Sequence, residues 1–245
     1  MASQAISTTS LETTCHLRIE SVERFSGDIG KVRYIAASRL NLGLFQKDIN
    51  VAWDLAPHDL SIILHLLDES PVSVGCQGSC HVARGIEDVT TMYLTFKHDC
   101  CAMVQSSWLD PKKVRQMTVV GSRRMIVYDD TEPLEKVKVY DARVEAPPNY
   151  DSFAQLSYQY HHGDVYIPYL KQDEPLKMEM RHFIECIREG IQPICGGPEG
   201  TEVVRVLEGA NQSLRHGGGS VSLVPSRHLN GAKAAETVAP NLVVA

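Results

Sequence analysis

The middle third of the chain contains one strand-like segment after another, and this feature constrains the fold most. Apolar and β-branched runs are separated by turn signals such as Lys97-His98-Asp99 and Gly121-Ser122-Arg123. Such short connections favour an antiparallel meander, because a parallel strand pair needs a long crossover. The predicted strands span residues 72–82, 89–96, 101–108, 114–120, 125–128 and 137–140.

Helical patterns flank this meander on both sides. A predicted strand at 31–42 leads into a helix that begins near Asp54 and ends near Leu67, and helices are also predicted at 15–25, 174–189 and 198–216. Residues 145–172 predict a long loop rich in Pro, Tyr and His, and 221–224 a last strand. We therefore expect an α+β fold, with an open, mostly antiparallel sheet and helices packed on one face. It forms one domain at 15–224, between a disordered segment at 1–14 and a flexible tail at 225–245.

Composition argues against several classes of function. The net charge of −6 provides no basic surface for nucleic acid. No apolar run reaches the ~20 residues of a membrane span, and residues 1–14 lack the apolar stretch of a secretory signal. Seven cysteines without the spacing of a disulfide scaffold predict reduced thiols in the cytoplasm. The Cys/His clusters at 76–81 and 98–101 lack zinc-site spacing, so we expect no bound metal.

An acid and an imidazole lie four residues apart at the start of the first long helix. Asp54 is predicted to cap this helix, and His58 follows one turn later on the same face. Imidazole titrates near neutral pH, and a neighbouring carboxylate orients it, so the pair suits proton transfer. The alternative is a helix cap beside a structural histidine whose hydrogen bonds are satisfied.

Six more residues are candidates for substrate binding. Arginine binds carboxylate or phosphate through its planar fork, while tyrosine and histidine stack on sugars and hydrogen-bond to them. The alternatives are a solvated sheet edge for the arginine, a solvated basic corner for the lysine, and simple loop packing for the last two residues. The candidates are Arg39, Asn41, Trp108, Lys113, Tyr160 and His161.

The chain resembles the C-terminal domain of the glucose–fructose oxidoreductase / inositol dehydrogenase (Gfo/Idh/MocA) family. The resemblance covers roughly residues 15–224. It is carried by the segments at 27–34 (GDIGKVRY) and 53–60 (WDLAPHDL), by Ser107-Trp108-Leu109 and Val119-Val120-Gly121, and by the segments at 174–176 (EPL) and 203–208 (VVRVLE). It implies a sugar-type substrate, with His58 as the acid/base group and Asp54 as the residue that positions it.

The same resemblance implies an NAD(P)-binding Rossmann domain, for which this sequence has no Gly-x-Gly-x-x-Gly after a strand and no Glu-Lys-Pro. We therefore expect no cofactor unless a Rossmann domain is supplied in trans. The favoured hypothesis is cofactor-independent proton chemistry (epimerisation, isomerisation, dehydration or cyclisation) on a sugar-like or natural-product molecule. One alternative is a scaffold or regulatory subunit, for which a full-length oxidoreductase is a candidate partner in a hetero-oligomer. The other is one half of a split dehydrogenase. A homodimer or tetramer through the open sheet face is expected for the enzyme and for the scaffold alike.

Overall fold

The computed structural model describes residues 28–145, 158–170 and 174–223, which form nine strands and three long helices. The strands are β1 (Val32–Leu42), β2 (Ser73–Ser79), β3 (Val89–Thr95), β4 (Cys101–Ser107), β5 (Leu109–Gly121), β6 (Met125–Asp129), β7 (Val137–Glu145), β8 (Gln159–Tyr166) and β9 (Val221–Ser222). The helices are α1 (Val51–Leu67), α2 (Pro175–Glu189) and α3 (Gly197–Arg215).

All nine strands belong to one sheet in the order β8-β7-β6-β5-β1-β4-β3-β2-β9. Every pair is antiparallel except β1 with β4, whose parallel alignment is made possible by the crossover through α1. The predicted α+β fold with an open, mostly antiparallel sheet is confirmed.

The core lies between one face of the sheet and the helices α1 and α3. Alternate strand residues such as Ile35 and Leu94 are fully buried on this face, and Leu60 of α1 and Leu207 of α3 pack over it. The intervening residues point to the opposite face, where Tyr93 is 48 % exposed. The sheet therefore presents one covered face and one open face.

The loop predicted at 145–172 is wrong over residues 159–166, which form β8. β7 continues to Glu145, and β8 pairs with it antiparallel, for example Arg143 with His161. β8 is an edge strand exposed over most of its length, so its residues do not alternate between apolar and polar. The predictions for residues 1–25 and for the tail after 225 lie outside the described residues.

No helix within the described ranges combines the length and the apolarity that a membrane crossing requires.

Candidate functional site

The candidate site lies where the end of β1, the first turns of α1 and the β4–β5 junction meet. Asn50 begins α1, because its extended backbone precedes the helix and its Oδ1 accepts a hydrogen bond from the Trp53 N–H at 3.2 Å. Its Nδ2 donates to Asn211 Oδ1 at 3.0 Å and to Glu87 Oε2 at 3.3 Å. The prediction that Asp54 caps the helix is therefore wrong.

Pro57 explains that error. Proline is favoured in the first turn of a helix, which places the predicted start near Asp54, but in the structure Pro57 lies inside α1. Asparagine caps helices as well as aspartate does, so the sequence was equally compatible with a helix that begins at Asn50.

Asp54 is free of the capping role and instead accepts a hydrogen bond from Trp108. The Trp108 indole Nε1 donates to Asp54 Oδ2 at 2.8 Å. Trp108 is only 1 % exposed, so this charge-assisted bond lies largely away from solvent. This hydrogen bond fixes one oxygen of the Asp54 carboxylate and thereby orients the carboxylate. Asp54 lies on the same face of α1 as His58.

Trp108 is itself held on several sides. It is the single residue between β4 and β5, its backbone N–H donates to Asp88 O at 3.0 Å, and its carbonyl accepts from the Gly43 N–H at 3.0 Å. The Phe45 ring lies 5.2 Å from the Trp108 ring, centroid to centroid. A Cβ at position 43 would lie 2.8 Å from the indole, so only glycine allows this close approach. The sequence analysis did not identify Gly43 and Phe45, because neither residue belongs to a recognisable catalytic or binding motif.

His58 lies one helical turn after Asp54 and is half-buried. Its Nδ1 atom is buried, and its backbone carbonyl accepts a hydrogen bond from Ser61 Oγ at 2.9 Å. Asp54 and His58 are four residues apart, so they lie on the same face of α1.

Arg39 forms a buried, bidentate ion pair with Asp59. Its Nε lies 3.0 Å from Asp59 Oδ2 and its Nη2 lies 2.9 Å from Asp59 Oδ1. Arg39 is 5 % exposed, so the alternative of a solvated sheet edge is wrong. The pair ties β1 to α1 at the residue next to His58, and it thereby fixes the helix that carries the site. A direct contact between Arg39 and a substrate stays a prediction.

Asn41 lies near Trp108 at the end of β1. A Cβ built on Gly43 would lie 3.2 Å from Asn41 Oδ1. This oxygen is buried and has no hydrogen-bond partner within the described part of the chain. An unsatisfied buried acceptor costs about 1–3 kcal/mol, so a donor supplied by a polar ligand would stabilise it.

The remaining candidates lie further away. Lys113 is exposed on β5, beside Val114, which pairs with Leu40 near the end of β1. Tyr160 and His161 are on the edge strand β8, separated from β1 by β7, β6 and β5. At about 4.8 Å per strand they lie roughly 20 Å across the sheet from β1, so the structure does not bring them together with His58.

Comparison with known proteins gives one family match. A family model described as the GFO/IDH/MocA C-terminal domain matches residues 25–127, which include Asp54, His58 and Trp108. No curated protein is similar enough in sequence to count as a match.

Solved structures share the fold at low sequence identity. UDP-N-acetylglucosamine 3-dehydrogenase GnnA from Acidithiobacillus ferrooxidans has a TM-score of 0.64 and 22% identity, covering 84% of this chain and 62% of that protein. Aldose-aldose oxidoreductase from Caulobacter crescentus gives 0.61 and 19%, covering 89% and 63%. GenD2 from gentamicin A biosynthesis, solved in complex with NAD, gives 0.65 and 14%, covering 89% and 64%. The chain therefore spans about three fifths of the length of these proteins.

Proposed function

We propose that this chain binds a sugar-like or related natural-product molecule at Asp54 and His58, within residues 25–127, which match the model of the GFO/IDH/MocA C-terminal domain. We propose further that His58 performs acid/base chemistry on that molecule. The observation that carries the proposal is the hydrogen bond from buried Trp108 to Asp54, which orients a carboxylate on the helix face of His58. The Asn41 Oδ1 atom beside Trp108 has no hydrogen-bond partner among the residues that the structure describes, and it adds an acceptor for a ligand hydroxyl.

The chemistry of the site follows from these groups. Neutral His58 accepts a proton from a substrate hydroxyl, or from a carbon next to a carbonyl, and returns it in a later step. Asp54, fixed by Trp108, stabilises the imidazolium form and holds a substrate hydroxyl. A positioned general base of this kind contributes about 10²–10⁴-fold to epimerisation, isomerisation, dehydration or cyclisation.

The residues at the β1–α1 junction do not fit the pyrophosphate of NAD(P). A dinucleotide places its phosphates against the free N–H groups of a helix that follows a strand. Here the Val51 N–H donates to Glu87 O at 2.9 Å, and the Trp53 N–H donates to Asn50. The Asp54 carboxylate in the first turn and the Glu87 side chain bonded to Asn50 also repel an anion. We therefore propose that His58 acts without a nicotinamide cofactor bound at this junction.

A second candidate function is one half of a dehydrogenase that acts with a nucleotide-binding partner in trans. The exposed apolar stripe along α2 favours it, because such a stripe is typical of a docking surface. Phe183 is 55 % exposed and Ile187 is 67 % exposed, and further apolar side chains lie along the same helix. The docking surface predicted near residues 15–25 lies outside the described residues.

The six cysteines within the described ranges are all free thiols, which supports our proposal that the protein works in the reducing environment of the cytoplasm.

Calorimetry on the purified chain tests these proposals. UDP-N-acetylglucosamine, other nucleotide sugars, NAD(H) and NADP(H) are titrated into the wild type and into the His58→Ala variant. His65→Ala is the matched control, because it removes a second histidine from the same helix. We expect a sugar-type ligand to bind the wild type and His65→Ala, and to bind His58→Ala at least tenfold more weakly.

Each outcome decides between the candidates. Any ligand that binds is also tested for conversion to a product. Conversion that is lost in His58→Ala and kept in His65→Ala supports acid/base catalysis. Nicotinamide binding by the chain alone would overturn the cofactor-independent proposal. If no ligand binds, the proposal fails, and the chain is better described as a scaffold or regulatory subunit.

A further inference from the structure

An open cleft of about 800 Å³ lies at the other end of the sheet from His58. Arg33 in this cleft and Arg39 beside the candidate site are six residues apart on β1, which corresponds to about 20 Å. The cleft draws on β1, the β5–β6 turn and β7, so segments distant in sequence form it. Its cationic residues are Arg33, Arg123, Arg124 and Arg143.

The turn that carries two of these arginines is fixed by the backbone of residues 29–31. Lys31 N–H donates to Ser122 Oγ at 3.0 Å, and Ser122 N–H donates to Lys31 O at 2.9 Å. The Arg123 N–H donates to Ile29 O at 2.9 Å. Gly30 has a φ of +76°, and a Cβ there would lie 2.4 Å from Ser122 Oγ. The close approach requires glycine, so the guanidinium groups project from a rigid turn.

The cleft is lined by four arginines and three carboxylates, so its positive charges outnumber its negative charges. The carboxylates form ion pairs with some of the arginines. Arg124 Nη1 lies 3.0 Å from Asp28 Oδ2, and both side chains are substantially exposed, so this bridge is weak and can be displaced. Arg33 is exposed and makes no ion pair with a residue in the described ranges. The cleft therefore keeps cationic capacity for a ligand.

On the β7 side, Arg143 contacts two carboxylates, Asp141 at 3.2 Å and Glu145 at 2.5 Å. The His161 ring also reaches Asp141, with its Nε2 at 3.0 Å from Oδ2. The pKa of Asp141 is lowered, first by the hydrogen bond from His161 and further by the charges of Arg143 and Arg124. The carboxylate thus stays ionised and holds Arg143 in place at the cleft wall.

We propose that this cleft binds a small molecule through a phosphate group, with Arg33 as its main uncommitted contact and the β5–β6 turn as its floor. A phosphate carries up to two charges and three terminal oxygens, so it can accept from guanidinium groups on more than one wall. The volume of the cleft suits a small phosphorylated metabolite. The proposal concerns a second site and does not depend on the function proposed for His58.

Inorganic pyrophosphate is the probe, titrated calorimetrically into the full chain at low ionic strength. The variants are Arg33→Gln and, as matched control, Arg84→Gln, which removes an exposed arginine from the β2–β3 loop outside the cleft. We expect Arg33→Gln to weaken binding about tenfold or more, because a charge-assisted hydrogen bond is lost, and Arg84→Gln to leave it unchanged. Thermal unfolding of each variant checks that the exposed substitution leaves the fold intact.

Malonate, a dicarboxylate, is titrated in parallel. If malonate binds as tightly as pyrophosphate, the assignment to phosphate is wrong. If pyrophosphate does not bind the wild type, or if both variants weaken it equally, the cleft is not a specific site and the proposal is overturned. Wild-type binding of pyrophosphate that is unaffected by His58→Ala and weakened by Arg33→Gln supports it, whatever the outcome at His58.

Discussion

At the scale of single residues, the Trp108–Asp54 hydrogen bond is the contact on which the candidate site depends. Replacing Trp108 by Phe keeps an aromatic ring in the buried position and removes the donor to Asp54. We expect the free energy of unfolding to fall by about 1–3 kcal/mol, since a hydrogen bond to a charged acceptor is lost. Urea unfolding, combined with the Asp54→Asn and double variants, measures the coupling between the two side chains.

Trp53→Phe is the matched control for this experiment. The Trp53 Nε1 is also buried, but it has no hydrogen-bond partner within the described part of the chain. The same substitution there therefore removes no such bond, and we expect a smaller loss of stability. Equal losses at positions 53 and 108, or strictly additive effects of Trp108→Phe and Asp54→Asn, would show that the bond to Asp54 contributes nothing.

The Arg39–Asp59 pair gives a second prediction at the residue scale. Removing either partner leaves a buried charge without its counter-ion, so Arg39→Met and Asp59→Leu are each expected to cost about 3–5 kcal/mol. The double variant removes both charges and is expected to be more stable than either single variant. Urea unfolding of the three variants tests this, and a double variant that is less stable than both singles would contradict it.

At the scale of elements, the start of α1 depends on Asn50. Asn50→Ala removes the acceptor for the Trp53 N–H and the donor to Asn211 and Glu87, and we expect a loss of about 1–2 kcal/mol in unfolding free energy. Asn50→Ser is the control, because serine keeps the capping acceptor and loses only the links to the other two side chains. Chemical denaturation should place Asn50→Ser between the wild type and Asn50→Ala; a serine variant as unstable as the alanine variant would show that the cap itself is unimportant.

The β2–β3 loop provides a prediction on pH. Burial of Asp88 opposes ionisation, but hydrogen bonds from the His81 ring and from the Val82 and His81 N–H groups outweigh it and lower the pKa of Asp88. A carboxylate with a lowered folded-state pKa stabilises the fold above its unfolded pKa of about 3.9, and this contribution is lost as the pH falls through the folded value. Asp88→Asn should therefore destabilise the protein at pH ~7, with a difference from wild type that narrows below pH ~4. Urea unfolding at both pH values measures it, and a difference independent of pH would contradict the assignment.

The sequence predicts the helices and strands in which apolar residues recur with the period of a single buried face. The strand at 31–42 and the helix at 198–216 agree closely with β1 and α3, because each buries one face. β8 was not predictable in this way, since an exposed edge strand has no face to bury. At the site, the spacing of Asp54 and His58 identified the helix face, whereas the contact with Trp108 joins residues 54 positions apart and appears only in the folded sheet.

At the scale of the whole molecule, the uncovered face of the sheet predicts self-association. Tyr93 pairs with Met103, and Met103 pairs with Ala36, so a row of aromatic and apolar side chains crosses adjacent strands on this face. Tyr93 is 48 % exposed, and Tyr34 and Met103 are each 37 % exposed. A contiguous apolar surface of this kind is typical of an interface. We expect the purified chain to be a dimer or a tetramer by light scattering at micromolar concentration.

The variant Tyr93→Lys tests which surface forms that contact. A lysine at the centre of the open face places a charge where two sheets would pack, and we expect it to shift the protein toward monomer. Tyr169→Lys is the control, because Tyr169 is 84 % exposed and lies outside the strands. If both variants keep the oligomer, the contact uses another surface, of which the apolar stripe of α2 is the next to test. If the wild type is itself a monomer, the open face needs a different partner, and the hetero-oligomer with a nucleotide-binding protein becomes the stronger hypothesis.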